Sequence, residues 1–310
     1  MTSRTTRQRS PLRLALAARA REGAVRALLL ACAALSVLTT FGVVAALVGE
    51  TAAFFADPAV TFGEFFTSTR WTPLFADKSF GILPLLSGTF LVTAIALAVG
   101  VPLGLASAVY LSEFAPPGRR RRVTGLLELL AGVPTVVLGY FALLFVTPLL
   151  QRVIPGLNLF NALSAGLVMG FMILPTVSSI STDAMQAVPS SLRQAAYGLG
   201  ATKVQLIFRV VLPAALSGIV ASVVLAMSRA VGETMIVSLA AGQRPLFTFD
   251  ARETIATMTS FIVQAATGDQ PAGSLASRSL YAVAATLFAI TLLLNLASQL
   301  VVRRYRERYE

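Results

Sequence analysis

Six long apolar segments alternate with charged segments along this chain. They cover about residues 27–49, 83–111, 125–150, 162–182, 214–241 and 280–302. Each is long enough to cross a bilayer as an α-helix, which takes about 20 predominantly apolar residues. The pattern therefore predicts an all-α polytopic membrane protein with six transmembrane helices. We expect one transmembrane domain over residues 27–310, preceded by a basic tail over residues 1–26.

The composition and the positions of the charges agree with this pattern. Of 310 residues, 56% are hydrophobic and 13% are charged, and a soluble domain of this size could not bury so much apolar side chain. Eighteen of the 25 Lys and Arg residues fall in the tail, in the arginine run at 119–122, between the fourth and fifth segments, and after the sixth. Since Lys and Arg concentrate in cytoplasmic loops, both termini are predicted to be cytoplasmic. The net charge of +11 thus indicates orientation in a cell membrane and contact with lipid, and not binding to nucleic acid.

The first apolar segment and the rare residue types limit what else the chain can be. The segment at 27–49 exceeds the roughly 7–15 apolar residues of a signal peptide, so we expect an anchor. The chain has no histidine and one cysteine, Cys32, which excludes an intrachain disulfide, a Cys/His metal site and a Ser-His-Asp triad. It has no GxxxxGK[ST] phosphate loop either, so it is not a P-loop ATPase. We predict neither an enzyme nor a protein with its own cofactor.

The segment between the fourth and fifth spans is predicted to be ordered. Its first half has apolar residues on one helical face, at Leu192, Ala195, Ala196 and Leu199. Two glycines, the second of them Gly200, then interrupt the helix. Thr202 can cap a second helix over 203–211, which ends where Pro213 begins the next span. A helix, a glycine turn and a helix between two spans predict a docking surface.

Two charged residues lie inside the fifth apolar segment. Arg229 and Glu233 are four residues apart and would share one face of a helix. An arginine at the bilayer centre costs about 3 kcal/mol, so it should face protein or a polar path. A structural ion pair is one interpretation. We favour a charged passage for a polar solute, because the arginine fork matches phosphate or carboxylate oxygens, although a cation drawn to Glu233 also fits. Gly232 would allow close approach, and Ser228 and Thr234 could serve as further donors.

Smaller signals concern packing. Residues 50–80 are rich in phenylalanine and hold the single tryptophan, so this segment is predicted to lie along the outer membrane interface. Gly100 and Gly104 predict a close helix–helix contact of the second span. Pro134 and Pro175 leave unpaired carbonyl groups, so the third and fourth spans are expected to pack around something polar.

The loop between the fourth and fifth spans resembles the signature of permeases of binding-protein-dependent ABC importers. That signature reads Glu-Ala-Ala, three residues, Gly, nine residues, Ile-x-Leu-Pro. The residues of this chain at those spacings are Gln194, Ala195, Ala196, Gly200, Val210, Leu212 and Pro213, with Gln replacing Glu and Val replacing Ile. In that family the loop is a coupling helix that docks in a cleft of a cytoplasmic ATPase. The resemblance implies a type I ABC importer permease fold with a coupling loop over residues 184–213.

Other residues resemble phosphate-specific permeases of the C type. They are the Arg229-Ala-Val-Gly232-Glu233-Thr234 run, Trp71-x-Pro73 and Gly268-Asp269. The resemblance extends over nearly the whole chain from about residue 25. It implies two ATPase copies, a second permease of the A type and an extracytoplasmic phosphate-binding protein as partners, with phosphate passing Arg229 and Glu233. A permease for sulfate, molybdate or tungstate remains an alternative. So does a secondary transporter, although the chain has no convincing internal repeat.

Overall fold

The computed structural model describes residues 11–75, 77–271 and 273–305, and within these ranges the regular secondary structure is helical. The chain divides into two units, residues 1–50 and 51–310. Helix α1, Pro11–Phe55, supplies the described part of the first unit. It contains the predicted first span and also residues 11–26 of the predicted tail, whereas residues 1–10 of that tail lie outside the described residues. The single transmembrane domain predicted over residues 27–310 stays a prediction.

The second unit contains the other helices. They are α2 (Phe62–Thr67), α3 (Leu83–Val109), α4 (Pro117–Ala131), α5 (Thr135–Phe141), α6 (Thr147–Gln151), α7 (Ala162–Gln186), α8 (Ser190–Gly198), α9 (Lys203–Leu206), α10 (Leu212–Ala214), α11 (Leu216–Val231), α12 (Met235–Ala240), α13 (Met258–Thr267) and α14 (Leu275–Tyr305). Three π-helical turns continue α3, join α5 to α6 and join α9 to α10; they cover Tyr110–Phe114, Ala142–Val146 and Ile207–Val211.

Four helices are long and apolar enough to cross a membrane. They are Glu22–Phe55, Leu83–Phe114, Ala162–Gln186 and Leu275–Leu300. Two bent pairs of helices meet the same criterion, so the described residues hold up to six spans if each pair counts as one. The first, second, fourth and sixth predicted spans are thus single helices. The prediction of an all-helical polytopic membrane protein is confirmed.

The third predicted span is not one helix. Its two arms, Pro117–Ala131 and Thr135–Gln151, meet at an angle of 89°. Pro134 explains the break, because proline has no N–H to donate and disfavours the helical conformation at the preceding residue. The arginines at 119–122, predicted in a loop, instead lie in the first turns of α4.

The core of the second unit lies between α3, α7, α11 and α12. Helices α3 and α7 approach so closely that a Cβ on Gly100 would lie 2.6 Å from Ile173 Cγ1. A Cβ on Gly166 of α7 would lie 2.7 Å from Ile95 Cβ of α3, so each helix presents glycine to the other. The close contact predicted from Gly100 and Gly104 is therefore confirmed, with α7 as the partner.

The aromatic segment before α3 is partly buried within the protein. Phe54, Phe65 and Trp71 are buried in a second apolar cluster with Phe261 of α13, and the Trp71 and Phe261 rings meet edge to face at 5.0 Å. A lone antiparallel bridge between Trp71 and Phe80 folds the segment back on itself. These contacts bury part of the segment against the protein, and its position at the outer membrane interface stays a prediction. Its remaining exposed aromatic residues are Phe62, Phe66 and Phe75.

Candidate functional site

The fifth predicted span, over 214–241, is interrupted at its charged residues. Helix α11 ends at Val231 and α12 begins at Met235, so Gly232, Glu233 and Thr234 form a short break. Glycine has a low helix propensity, and a polar side chain that bonds the backbone locally competes with the helix. The Thr234 hydroxyl donates to the carbonyl of Gly232 at 3.3 Å, which closes the break locally.

Glu233 caps the helix that follows the break. Its Oε1 atom accepts hydrogen bonds from the backbone N–H groups of Met235 at 3.0 Å and Ile236 at 3.3 Å. Its carbonyl oxygen accepts one from the Thr259 hydroxyl at 2.7 Å, which ties the break to α13. The carboxylate is half-buried, and Oε2 makes no hydrogen bond within the described part of the chain.

Arg229 does not pair with Glu233. The ion pairs of the described residues include Arg70–Asp77, Arg193–Glu113 and Arg252–Asp250, and none joins Arg229 to Glu233. The predicted pairing of Arg229 and Glu233 on one helical face is therefore wrong. The two side chains do not share a face because α11 ends at Val231. A spacing of four residues aligns side chains only within a continuous helix.

The side chain of Arg229 is exposed and has one polar contact with the described residues. Its Nη1 atom lies 3.4 Å from the Thr176 hydroxyl of α7, which is long for a hydrogen bond. Ser228, predicted as a donor beside it, instead donates to Asn295 Oδ1 of α14 at 3.0 Å. An asparagine in the sixth apolar segment was the sequence signal for this helix–helix contact. The guanidinium thus keeps most of its donors free.

A cavity of about 410 Å³ continues from Thr176 between α4 and α7. Its wall combines apolar residues with the polar residues Thr176, Thr124, Arg120, Glu128 and Asp183. A polar surround was predicted from the prolines of the third and fourth spans, and Pro175 lies in the cavity wall. Because Thr176 contacts Arg229 and lines the cavity, it connects the two.

The coupling loop has the predicted order of a helix, a glycine turn and a capped helix. Gly200 adopts φ +82° in the turn after α8, a conformation that favours glycine. Thr202 Oγ1 accepts from the backbone N–H of Gln205 at 3.3 Å, while Gln205 Oε1 accepts from the backbone N–H of Thr202 at 2.9 Å. Such a reciprocal capping box is typical of a stable helix start.

The two faces of the loop differ from the single apolar face predicted. Ala196 is buried and Leu192 packs beside it, whereas Ala195 and Leu199 are exposed, Leu199 by 89%. The reason is that α8 ends at Gly198, which leaves Leu199 in the turn. Of the remaining signature residues, Gln194 and Pro213 are exposed, Gly200 is also exposed, and Leu212 is half-buried.

An ion pair that was not predicted joins the coupling loop to the end of α3. Arg193 Nη1 of α8 lies 2.8 and 2.9 Å from the two carboxylate oxygens of Glu113. Arg193 Nη2 donates to the Met185 carbonyl at the end of α7 at 2.7 Å. The side chains are 22% and 6% exposed for Arg193 and Glu113. The only sequence signal for this ion pair was an acidic residue, Glu113, just after the second apolar segment, and the sequence does not indicate its partner.

Solved structures of importers share this fold. A bacterial ABC transporter that imports the acidic polysaccharide alginate matches with a TM-score of 0.60 at 18% identity, covering 93% of this chain and 100% of the other. The MetNI methionine ABC transporter in an inward-facing conformation matches with a TM-score of 0.55 at 20% identity, covering 73% and 95%. The fold is therefore that of ABC importer permeases.

Sequence comparison gives the family. Residues 100–307 match the binding-protein-dependent transport system inner membrane component. The chain belongs to this family: it is a multi-pass membrane permease subunit of an ABC importer and not itself an ATPase. Permeases of this family work with ATPase subunits and a binding protein. A secondary transporter, the other class considered from the sequence, is thereby excluded.

Curated relatives include permeases named for phosphate. The phosphate transport system permease protein PstC of Mesorhizobium japonicum is 36% identical over 264 residues, which cover 78% of this chain and 80% of that protein. PstC of Haemophilus influenzae is 31% identical over 266 residues, covering 79% and 82%. The probable ABC transporter permease protein YqgH of Bacillus subtilis is 35% identical over 230 residues, covering 74% of each chain.

Proposed function

We propose that this permease passes inorganic phosphate from an external binding protein across the cell membrane. The observation that carries the proposal is the exposed Arg229 inside a membrane span of a chain whose relatives include phosphate permeases. A guanidinium offers a planar fork of donors that matches the oxygens of phosphate. Since Arg229 has one long contact and no ion pair with Glu233, an entering oxyanion would not have to displace a carboxylate.

The same geometry suggests a route through this subunit. Phosphate would pass the break at Gly232, Glu233 and Thr234, meet Arg229, and continue past Thr176 into the cavity between α4 and α7. Hydroxyl groups line this route and can donate hydrogen bonds to an oxyanion.

An exposed arginine in a span also supports the proposed permease partner. Left against lipid, Arg229 would cost about 3 kcal/mol. A second permease of the A type would cover this face and complete the pathway. The remaining partners in this proposal are two copies of an ATPase and an extracytoplasmic phosphate-binding protein.

The coupling loop is the proposed docking site for the ATPase. Its outer side exposes Leu199, Val204 and Phe208, which are apolar side chains suited to a protein partner. The energy of ATP hydrolysis would reach the spans through this loop and move them between outward-facing and inward-facing states. The loop and both termini then lie in the cytoplasm, in agreement with the positions of the basic residues.

Another tetrahedral oxyanion is the second candidate, because arginine alone does not distinguish phosphate from sulfate, molybdate or tungstate. The test is uptake by the complete transporter in proteoliposomes that contain ATP. We expect radiolabelled phosphate to accumulate only with ATP and the loaded binding protein, with no competition by excess sulfate, molybdate or tungstate. Accumulation of one of those anions without uptake of phosphate would reject the proposal in favour of that substrate.

A further inference from the structure

The coupling loop is connected to the cavity by an unbroken series of polar contacts. Arg193 of α8 binds Glu113, and the Ser112 hydroxyl donates to Glu113 Oε1 at 2.8 Å. The carbonyl of Ser112 in turn accepts a hydrogen bond from Arg120 Nη2 of α4 at 3.0 Å. The series therefore starts on the coupling helix, passes through the π-helical turn that ends α3, and finishes at a residue that lines the cavity.

Arg120 is held at one end only. Its Nη2 atom has the contact to Ser112, whereas its buried Nε atom has no hydrogen-bond partner among the described residues. A buried donor without a partner is uncommon and calls for an explanation. Because Nε has no partner, the position of the Arg120 guanidinium depends on its contact with Ser112. Through Ser112 it depends on the Glu113–Arg193 pair.

The ion pair is not needed to attach the coupling loop to the spans. Ala196 and Leu206 of the loop already pack in an apolar cluster with Ala108 of α3 and Met185 of α7. A second cationic contact joins α9 of the loop to the same π-helical turn, since Lys203 Nζ lies 4.5 Å from the centre of the Phe114 ring. What the ion pair adds is a charge-assisted contact between α8 and the π-helical turn, in which Arg193 Nη1 binds both carboxylate oxygens of Glu113.

We propose that Glu113 and Arg193 are positioning residues that transmit movement of the coupling helix to Arg120 in the cavity. When the ATPase displaces α8, Arg193 carries Glu113 and Ser112 with it, and Arg120 changes place beside the route of the oxyanion. This inference rests on the proposed function, because it takes α8 as the ATPase contact and the cavity as part of the pathway.

The test follows a single thiol in the cavity. Thr124 lies one turn after Arg120 on α4, lines the cavity and is exposed, so Thr124→Cys in a Cys32→Ala background gives one reporter thiol in this chain. In the complete transporter, the rate at which a water-soluble maleimide labels this introduced thiol is measured without nucleotide and after trapping with ATP and vanadate. We expect trapping to change the rate several-fold in this parent protein.

Substitutions in the ion pair should remove that response. Glu113→Gln and Arg193→Gln keep the side-chain size and remove the charge, and each should reduce the effect of trapping to less than a third of its value in the parent. The double variant should lose no more than either single variant, because both residues act in one contact. The matched control is Arg209→Gln, which removes an exposed cation of the same loop that has no hydrogen bond or ion pair among the described residues; its response should match that of the parent.

Other outcomes would overturn the proposal. An unchanged response in Glu113→Gln and Arg193→Gln would show that the pair transmits nothing. The proposal would also be overturned if trapping did not alter the labelling rate of the parent protein. The same holds if Arg209→Gln lost the response to trapping as fully as the pair variants. Failure of all three pair variants to assemble with the ATPase would assign the pair to assembly alone. The labelling test needs no phosphate. If the wild-type transporter did not import phosphate, the proposed substrate would be rejected, but the labelling test would remain valid.

Discussion

Arg229 lies against Thr176 of the neighbouring helix, with 3.4 Å between Nη1 and the hydroxyl oxygen. The contact holds the guanidinium beside the cavity without neutralising it. A neutral hydroxyl at this distance is a weak acceptor, so an oxyanion can replace it with a gain of charge-assisted hydrogen bonds. This relationship, and not an ion pair within one helix, makes the break in the fifth span a candidate pathway.

The first prediction concerns the charge at this position. Arg229→Gln should lower the initial rate of ATP-dependent phosphate uptake by about 10-fold or more, since hydrogen bonds to charged groups contribute about 1.5–3 kcal/mol. Thr176→Val, which removes the long contact and one neutral hydroxyl of the route, should change uptake by less than about 3-fold, as expected for less than about 0.7 kcal/mol. Both are measured at equal amounts of transporter in the membrane. Normal uptake by Arg229→Gln would remove this residue from the pathway.

Two substitutions of Glu233 can separate its role as the cap of α12 from the role of its carboxylate in uptake. Glu233→Gln keeps an oxygen that can accept from the backbone N–H groups of Met235 and Ile236, so thermal stability of the purified complex should be unchanged. Glu233→Ala removes the cap and should cost about 1 kcal/mol. We expect both variants to lose most phosphate uptake, because both remove the free carboxylate oxygen Oε2, which can accept a hydrogen bond from a P–OH group of hydrogen phosphate on the proposed route. Full uptake by Glu233→Gln would restrict Glu233 to capping α12.

A third prediction tests the docking surface. Leu199 is 89% exposed, so Leu199→Glu should not disturb packing within the chain, yet it places a charge where an apolar partner surface is expected. Co-purification of the ATPase should fall by at least about 5-fold, a loss of about 1 kcal/mol. The control is Val153→Glu in the loop after α6, where the original side chain is 77% exposed. Equal recovery of the ATPase with both variants would contradict the docking role.

The contact between α3 and α7 gives a prediction on stability. Gly100→Ala places a methyl group 2.6 Å from Ile173 Cγ1 and 2.7 Å from the Gly170 carbonyl oxygen, so it should destabilise the complex by about 1–3 kcal/mol. In Gly125→Ala of α4, the new methyl group meets no atom within 4 Å, and the gain in helix propensity should stabilise α4 by up to about 1 kcal/mol. Thermal unfolding of the purified complex measures both. A midpoint for Gly100→Ala at or above that of Gly125→Ala would be inconsistent with the contact.

The features that depend on short stretches of sequence could be predicted. Apolar length located the first, second, fourth and sixth spans, which are single helices, because the thickness of a bilayer sets the length of a helix that crosses it. Thr202 and Gly200 identified the turn and the cap of the coupling loop, since both signals act within a few residues. The pair Gly100 and Gly104 indicated a close contact without naming its partner.

What could not be predicted depends on tertiary structure. The spacing of Arg229 and Glu233 implied a shared face only if the helix continued, and local hydrogen bonds of Glu233 end it instead. Glu113 and Arg193 are 80 residues apart, so no periodicity could relate them. The burial of Trp71 depends on Phe261, which belongs to another part of the chain. Each error concerns a contact that the fold, and not the local sequence, brings about.

The glycines between α3 and α7 also restrict how the transporter can move. At Gly100, Gly104, Gly166 and Gly170 the two helices meet with no side chain of their own between them that could swing aside. Sliding one helix past the other would drive backbone into side chain, so we expect the pair to move as one body. Motion during a transport cycle is then expected where the helices are already interrupted, at Ala215, at residues 232–234 and at residues 132–134. The second of these hinges carries Glu233 and begins one turn beyond Arg229, so opening the route and reorienting its charges would be a single movement.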